Sequence, residues 1–322
     1  MITGIHHVAL IVQDPDAAER YYCSVGGMTR RPSQDAAAVS SGLRVLLAGD
    51  DLPLATVLLA GRNGYLELVA PQWPASLPDA IDNPINRPGI RHFCVQNHDC
   101  AMLEQAVHNT GGSLIAPPLD LGTGNQYAYA RDGEDNIMEI EGLPYAPEGE
   151  PTWLGHVAVV TRDMNCAVAF YSALFETPLQ NRGKFGPGPQ FDRMGGLKDV
   201  RIEGAWLQAG NMLLELWQYH APPCPLDPAP RQIGDPGFSH LCLETDDLDV
   251  DRARLVELGG TLLSTCNAND QIRTIFCSDP EGNVIELLQP LADGRSLAIT
   301  ALADPGICAR IEAGRAAERA AS

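Results

Sequence analysis

Basic residues are scarce in this chain. Its 322 residues include 22 Lys and Arg against 41 Asp and Glu, so the formal net charge is −19 at pH 7. A surface of this sign repels a phosphate backbone, and nucleic acid is therefore excluded as an expected partner.

Long apolar runs and paired cysteines are also missing. No run approaches the roughly 18 apolar residues of a membrane span, and MITGIHHVAL (1–10) has no export-signal pattern. The nine cysteines are scattered, without a C-x-x-C pair, which predicts reduced thiols rather than a disulfide framework or a zinc ribbon. We therefore expect a cytoplasmic protein that acts on a small molecule and does not contact membranes.

A histidine strand that occurs four times organises the sequence. The four copies are GIHHVALIV (4–12), GIRHFCVQ (89–96), LGHVAVVT (154–161) and FSHLCLET (238–245). They align on His7, His92, His156 and His240. Each is followed downstream by a strand of the form apolar-Glu-apolar, and these strands carry Glu67, Glu139, Glu215 and Glu286.

The two halves of the chain are related by a nearly constant offset. The offset is 149 residues from His7 to His156, and 147 residues from Glu139 to Glu286. Such regularity indicates duplication of a paired module.

Each module has the same predicted order of elements. After the histidine strand comes a helix with an acidic start, over 14–27, 99–112, 163–176 and 247–260. Three of these helices end in Gly-Gly, which suits a helix C-terminus, whereas 163–176 lacks the glycines. Three strands follow, the last with the glutamate. The order βαβββ predicts an α+β fold with mixed sheets.

Proline-rich segments suggest the boundaries. The link near 144–153 predicts a first domain over 1–146, with modules 1–75 and 88–145, and a second over 152–290, with modules 152–220 and 236–290. Residues 291–322 are predicted as a helical tail that carries Ile307 and Ile311 on one face and is exposed to solvent or lies at the interface of a homodimer. The insertion 181–199 is predicted as a surface loop.

Strand alternation sets what surrounds each histidine. Alternate residues share a face, so His7 is expected beside Ala9, with His6 on the opposite face as packing or as a contact behind a metal ligand. A single histidine in such a strand is usually an ordinary core residue. Four histidines matched with four buried carboxylates favour a divalent cation instead, because unpaired buried carboxylates are costly.

These features resemble the vicinal oxygen chelate superfamily, which includes glyoxalase I, methylmalonyl-CoA epimerase, extradiol dioxygenases and the bleomycin resistance proteins. The resemblance rests on the βαβββ modules, the histidine strands and SDPEGNVIELLQP (278–290), and it covers residues 1–290. It implies a cup-shaped sheet of two modules around one divalent ion. The implied metal ligands are His7, Glu67, His92, Glu139, His156, Glu215, His240 and Glu286. Which four of them meet depends on which modules pair.

The resemblance also implies a chemistry. Two histidines and two carboxylates leave two open positions on a six-coordinate metal, as in glyoxalase I and the epimerases. The metal, which is Fe, Mn, Co, Ni, Zn or Mg, then stabilises the charge that develops when a proton leaves the carbon next to a carbonyl. We expect an isomerase, epimerase or lyase acting on a substrate chelated through adjacent oxygens, with Glu286 and Glu139 as candidate bases.

Two alternatives remain open. One is an Fe(II) extradiol ring-cleaving dioxygenase, whose expected tyrosine is replaced by Phe276 in the fourth module, although Tyr127 and Tyr129 are present in the second. The other is a ligand-sequestering resistance or binding protein, for which complete ligand sets would serve no purpose.

Overall fold

The computed structural model describes residues 1–48, 54–71, 83–224 and 233–321. Module 1 consists of β1 (Ile2–Ile11), α1 (Pro15–Gly26), β2 (Thr29–Arg30), α2 (Ser33–Val39), α3 (Ser41–Ala48), β3 (Leu54–Ala60) and β4 (Tyr65–Pro71). Module 2 consists of β5 (Gly89–Asn97), α4 (Cys100–Asn109), β6 (Ser113–Leu114), β7 (Gln126–Arg131) and β8 (Ile137–Gly142). The predicted βαβββ order is present in both, and module 1 inserts α2 and α3.

The second half repeats this order. Module 3 consists of β9 (Trp153–Val160), α5 (Met164–Phe175), β10 (Leu179–Phe185), α6 (Pro189–Gly195), β11 (Arg201–Ala209) and β12 (Met212–Ala221). Module 4 consists of β13 (Gly237–Thr245), α7 (Leu248–Glu257), β14 (Thr261–Leu262), β15 (Asn267–Ala268), β16 (Ile272–Ser278) and β17 (Val284–Pro290). The predicted loop 181–199 thus contains part of a strand and a short helix.

The helix ends follow from local sequence. An aspartate before each of the four main helices accepts backbone N–H groups of the first turn, namely Asp14, Asp99, Asp163 and Asp247. Gly27 ends α1 in the left-handed conformation with φ of 61°. Glu176 adopts the same conformation after α5, with φ of 53°, where the glycines are missing.

The modules pair out of sequence order. Sheet one joins modules 1 and 4 in the order β14-β16-β17-β13-β1-β4-β3-β2, and sheet two joins modules 2 and 3 in the order β10-β11-β12-β9-β5-β8-β7-β6. At each centre, two histidine strands run antiparallel, β1 with β13 and β5 with β9. The division into 1–146 and 152–290 therefore describes the duplicated sequence, whereas each sheet takes one module from each half.

One core lies between the two sheets. Val8 and Leu10 of sheet one and Phe93 and Val95 of sheet two belong to the same buried cluster, which also contains residues of the helices. Alternate residues of the same strands carry the histidines, so these lie on the faces turned away from this core.

Two buried asparagines connect the sheets. The Asn63 amide donates to the Leu154 carbonyl at 2.8 Å and accepts from the Leu154 N–H at 2.9 Å. Asn211 forms the same pair of bonds with Ile5, both at 2.9 Å. Each asparagine thereby fixes the start of a histidine strand in the opposite sheet.

The C-terminal segment packs on its own chain. Helix α8 (Ile307–Ala321) buries Ile307 and Ile311 against Leu143, Ala146 and Trp153. The expected helix is present, and its isoleucine face is covered by this chain, because sheet two offers an apolar surface next to β9. In the described part of the chain, no helix is long and apolar enough to cross a membrane. The cysteines form no disulfide with one another in the described part of the chain.

Candidate metal centres

The eight predicted ligands meet in two groups of four. Sheet one brings together His7, Glu67, His240 and Glu286, and sheet two brings together His92, Glu139, His156 and Glu215. In each group the ligands come from the first and last strands of two modules. The first and last strands of a module pair in parallel. Tyr65 lies opposite His7 in module 1, and Leu213 lies opposite His156 in module 3. The glutamate comes two residues after that opposite position, so it lies on the same face of the sheet as the histidine.

In sheet one the ligand atoms nearly touch. His7 Nε2 lies 3.2 Å from His240 Nε2, 3.4 Å from Glu67 Oε2 and 3.3 Å from Glu286 Oε2. His240 Nε2 lies 3.3 Å from Glu286 Oε2 and 3.7 Å from Glu67 Oε2.

In sheet two the distances are similar. Glu139 Oε2 lies 3.1 Å from His92 Nε2 and 3.3 Å from His156 Nε2. His156 Nε2 lies 3.4 Å from His92 Nε2 and 3.3 Å from Glu215 Oε2. Two atoms each about 2.1 Å from one ion lie about 3.0 Å apart in octahedral and about 3.4 Å apart in tetrahedral geometry. The four groups in sheet two therefore fit a divalent transition-metal ion, as do His7, His240 and Glu286 in sheet one, where Glu67 lies next to both histidines.

The centre in sheet one, which we call the closed centre, is covered by the helices inserted in module 1. Leu43 of α3 packs with Ile11 and Phe276 over the sheet face. The Ser40 hydroxyl between the helices donates to Glu67 Oε1 at 2.5 Å. None of the four ligands is more than 1% exposed.

The centre in sheet two, which we call the open centre, lies on the wall of a cavity of about 570 Å³. Glu139, His156 and Glu215 line the cavity, and α8 contributes residues to its wall. The remaining wall includes eight aromatic side chains, Tyr127, Tyr129, Tyr145, Phe185, Phe191, Trp206, Trp217 and Tyr219. A second, more open cavity of about 690 Å³ near His98 contains none of the predicted ligands in its described lining.

Comparison with known proteins identifies the family. The family model of the Glyoxalase/Bleomycin resistance protein/Dioxygenase superfamily matches residues 4–140 and 153–287. The chain belongs to this superfamily. No curated protein matches the sequence.

Two solved structures share the fold of this chain. Glyoxalase I from Zea mays superposes with a TM-score of 0.61 at 18% identity, covering 89% of this chain and 92% of that one. A protein described as a putative dioxygenase from Bacillus subtilis superposes with a TM-score of 0.57 at 13% identity, covering 97% and 96%. At these identities the likeness establishes the glyoxalase fold.

Two tryptophans donate hydrogen bonds to Glu215, a role that the sequence interpretation assigned to neither. Trp206 Nε1 donates to Glu215 Oε1 at 2.6 Å, and Trp217 Nε1 donates to Glu215 Oε2 at 2.9 Å. Trp217 was predictable, since it lies two residues from Glu215 and shares its face. Trp206 comes from the neighbouring strand, so only the register of β11 against β12 reveals it.

In the open centre, the pKa values of a histidine and a glutamate are shifted in opposite directions. Burial alone would lower the pKa of His156, but the charges of Glu215 and Glu139 outweigh burial and raise it to about 9. Burial would raise the pKa of Glu139, but hydrogen bonds from His156 and His92 lower it to about 2. Without an ion, a proton on His156 therefore partly neutralises the carboxylates.

Glu141 is a further carboxylate of this cavity that was missed. It lies two residues from Glu139 on the same face of β8, and it accepts from Gln96 at 2.6 Å and from Asn125 at 2.7 Å. Burial and the charge of Glu139 raise the pKa of Glu141 to about 7. A carboxylate oxygen of Glu141 lies within 4.8 Å of a ring nitrogen of His156. The alternation in NIMEIEG (136–142) was the available signal.

His6 lies behind His7, on the side of the ligands. Its Nδ1 is 2.8 Å from His7 Nδ1, and its ring stacks on Tyr65 at 4.7 Å. The expectation that His6 occupies the opposite face is wrong, because the register of β1 shifts between Ile5 and His7 and interrupts the alternation. The expected contact behind a metal ligand is present.

Proposed function

We propose that the chain is a divalent-metal-dependent isomerase, epimerase or lyase, and that the open centre is its active site. The observation that carries this proposal is that the four ligand atoms lie together and that three of the four residues line the cavity. Three of these ligands line the cavity, so a substrate there would reach the ion, whereas no described cavity reaches the closed centre.

The protein groups would hold the ion and leave space for the substrate. His92, Glu139, His156 and Glu215 would bind it, and the indole N–H groups would fix the orientation of Glu215. A bound divalent ion would act as a Lewis acid toward two adjacent oxygens of the substrate. Four protein ligands leave two positions for those oxygens on a six-coordinate ion.

Two carboxylates are candidates for the base. Glu139, one of the two bases expected from the sequence, would have to act while bound to the ion. Glu141 is close to the centre without being one of the four ligands, and two amides fix its position. Glu286, the other expected base, lies in the closed centre and does not line the cavity in its described part.

The lining favours an uncharged substrate with a flat apolar portion. Among the described lining residues, Arg315 is the one Lys or Arg side chain. Its guanidinium lies 4.4 Å over the Tyr145 ring and 3.8 Å from Glu312. The acidic groups and aromatic walls would disfavour an anionic substrate and accept an aryl hydroxy-ketone.

Deuterium exchange tests the reaction without knowledge of the product. Untagged protein reconstituted separately with Ni²⁺, Co²⁺, Zn²⁺ or Mn²⁺ is incubated in D₂O with a panel of uncharged aryl hydroxy-ketones. We expect the ¹H NMR signal of the proton next to the carbonyl to disappear at a rate that depends on protein and metal. Exchange that continues at the same rate in His156→Ala, or in metal-free protein, would contradict the proposal.

Variants separate the two candidate bases. Glu141→Gln keeps the size of the side chain, so we expect it to retain the ion while exchange slows by about 10²-fold or more if Glu141 is the base. Glu312→Gln changes a carboxylate of the same cavity on α8 and should leave exchange nearly unchanged. Unchanged exchange in Glu141→Gln would leave the role to Glu139.

A ring-cleaving dioxygenase is the second candidate, favoured by the aromatic walls and by Tyr129. The Tyr129 ring lies 5.1 Å from the His92 ring and lines the cavity. With Fe²⁺ and catechols, oxygen consumption together with a yellow product would support ring cleavage. Deuterium exchange without oxygen consumption would support the proton-abstraction chemistry.

A further inference from the structure

The closed centre has hydrogen bonds that determine which nitrogen of each histidine carries the hydrogen. This matters because a neutral imidazole can bind a cation only through the nitrogen that has no hydrogen. Both Nε2 atoms point into the centre and both Nδ1 atoms point away from it.

The first hydrogen-bond chain runs through His6. His6 Nε2 is 2.9 Å from the Leu297 carbonyl oxygen, which can only accept, so His6 donates there. His6 is fully buried and forms no ion pair with the described residues, so its neutral form is favoured and its Nδ1 accepts. His7 Nδ1, 2.8 Å away, must therefore carry the hydrogen. His7 Nε2 presents a lone pair to the centre.

The second chain runs through Ser239. Its hydroxyl donates its one hydrogen to the Ile233 carbonyl at 2.9 Å. The Ser239 oxygen, 3.2 Å from His240 Nδ1, can then only accept from that nitrogen. His240 therefore also carries its hydrogen on Nδ1 and presents a lone pair on Nε2.

Hydrogen bonds also orient the two carboxylates toward the histidines. Ser40 donates to Glu67 Oε1 and Thr274 donates to Glu286 Oε1, so the Oε2 atom of each glutamate faces the imidazoles. Among the described residues, the ion-pair partners of these glutamates are His7 and His240. Two imidazole acceptors and two carboxylates thus face one another among side chains that are at most 1% exposed, and a divalent cation would neutralise the carboxylates.

We propose that His6 and Ser239 are positioning residues that keep His7 and His240 in the tautomer that would bind a divalent transition-metal ion in the closed centre. The helices over the centre would make this ion exchange slowly. The inference does not depend on the reaction proposed for the open centre, because it is tested by metal retention.

The experiment uses the full chain carrying His156→Ala, which disables the open centre. We expect this protein, purified without a histidine tag, to retain about one ion per chain by elemental analysis and to lose it to excess chelator more slowly than wild type loses its open-centre ion. Adding His6→Phe preserves an aromatic ring beside Tyr65 but removes both nitrogens. Loss of the ion should become about 10- to 100-fold faster.

A rescue variant at His6 and a variant in the second hydrogen-bond chain, at Ser239, complete the test. His6→Asn retains an oxygen that can accept from His7 Nδ1 and should restore part of the slow loss. If His6→Phe does not fold, Ser239→Ala in the same background is expected to accelerate loss through His240. A folded His156→Ala chain without metal, or loss rates unchanged by both His6→Phe and Ser239→Ala, would overturn the inference. A retained ion together with absent deuterium exchange in the wild type would leave the inference standing and count only against the proposed reaction.

Discussion

The asparagine pair between the sheets allows a stability prediction. Asn63 is fully buried, and its amide pairs with both the N–H and the carbonyl of Leu154. Asn63→Ala removes the acceptor of the Leu154 N–H, while the Leu154 carbonyl keeps the Cys308 thiol at 3.2 Å. An unpaired buried polar group costs about 1–3 kcal/mol, so the free energy of unfolding should fall by about that amount.

Urea denaturation followed by circular dichroism measures this loss. The protein is kept metal-free so that metal binding does not contribute, and an unchanged slope with urea would show that the unfolded state is comparable. Asn211→Ala removes the equivalent pair with Ile5 and should cost a similar amount. Asn165→Ala replaces an exposed asparagine and should change stability by less than about 0.5 kcal/mol.

Losses below about 1 kcal/mol for both Asn63→Ala and Asn211→Ala would refute this reasoning. They would mean that water or a local shift satisfies the backbone groups of Leu154 and Ile5. A loss of stability in only one of the two variants would mean that the Asn63–Leu154 and Asn211–Ile5 contacts do not stabilise the protein equally, despite their matching geometry.

Three further predictions concern the open centre. Trp206→Phe removes one N–H donor from Glu215 and should weaken metal binding there about 10- to 100-fold, measured by titration with Co²⁺; unchanged affinity would count against the indole contact. In metal-free protein, His156 has a pKa raised above 6.5 to about 9, so its stabilising contribution is complete below pH 6.5 and is lost as pH rises through 9. Denaturation across pH 6–10 should show this decline, and metal binding at pH 7.5 should release about one proton, seen by calorimetry in two buffers; a pH-independent stability would refute it. Ile311→Ala should cost about 2–4 kcal/mol and expose α8 to hydrogen exchange, whereas unchanged exchange would show that α8 is held by other contacts.

Much of the local structure was predictable because its causes are local. The aspartate caps and Gly27 mark the helix ends, and strand alternation places His7 with Ala9 and Ile11. The exception within a strand is His6, whose position depends on a register shift against β13. A bulge of this kind depends on the partner strand, so the alternation of β1 taken alone could not show it.

Contacts between segments that are far apart in the sequence were harder to predict. Trp206 reaches Glu215 across the β11–β12 register, and Ile311 finds an apolar surface formed by β9 and by residues near 143–146. The helices over the closed centre and the cavity at the open centre depend on how segments of different modules fold over the sheets. None of these contacts leaves a periodic pattern in one segment.

The sequence by itself determined the family, the βαβββ modules and the eight candidate ligands, because duplication repeats short-range patterns at a constant offset. Only the tertiary structure decided that modules 1 and 4, and modules 2 and 3, share a sheet. The four histidine strands have similar apolar patterns, so any pairing of them would bury comparable surface and the pattern cannot choose among them. The choice depends on contacts such as those of Asn63 and Asn211, and it determines which four ligands meet, which centre is covered and which one faces a cavity.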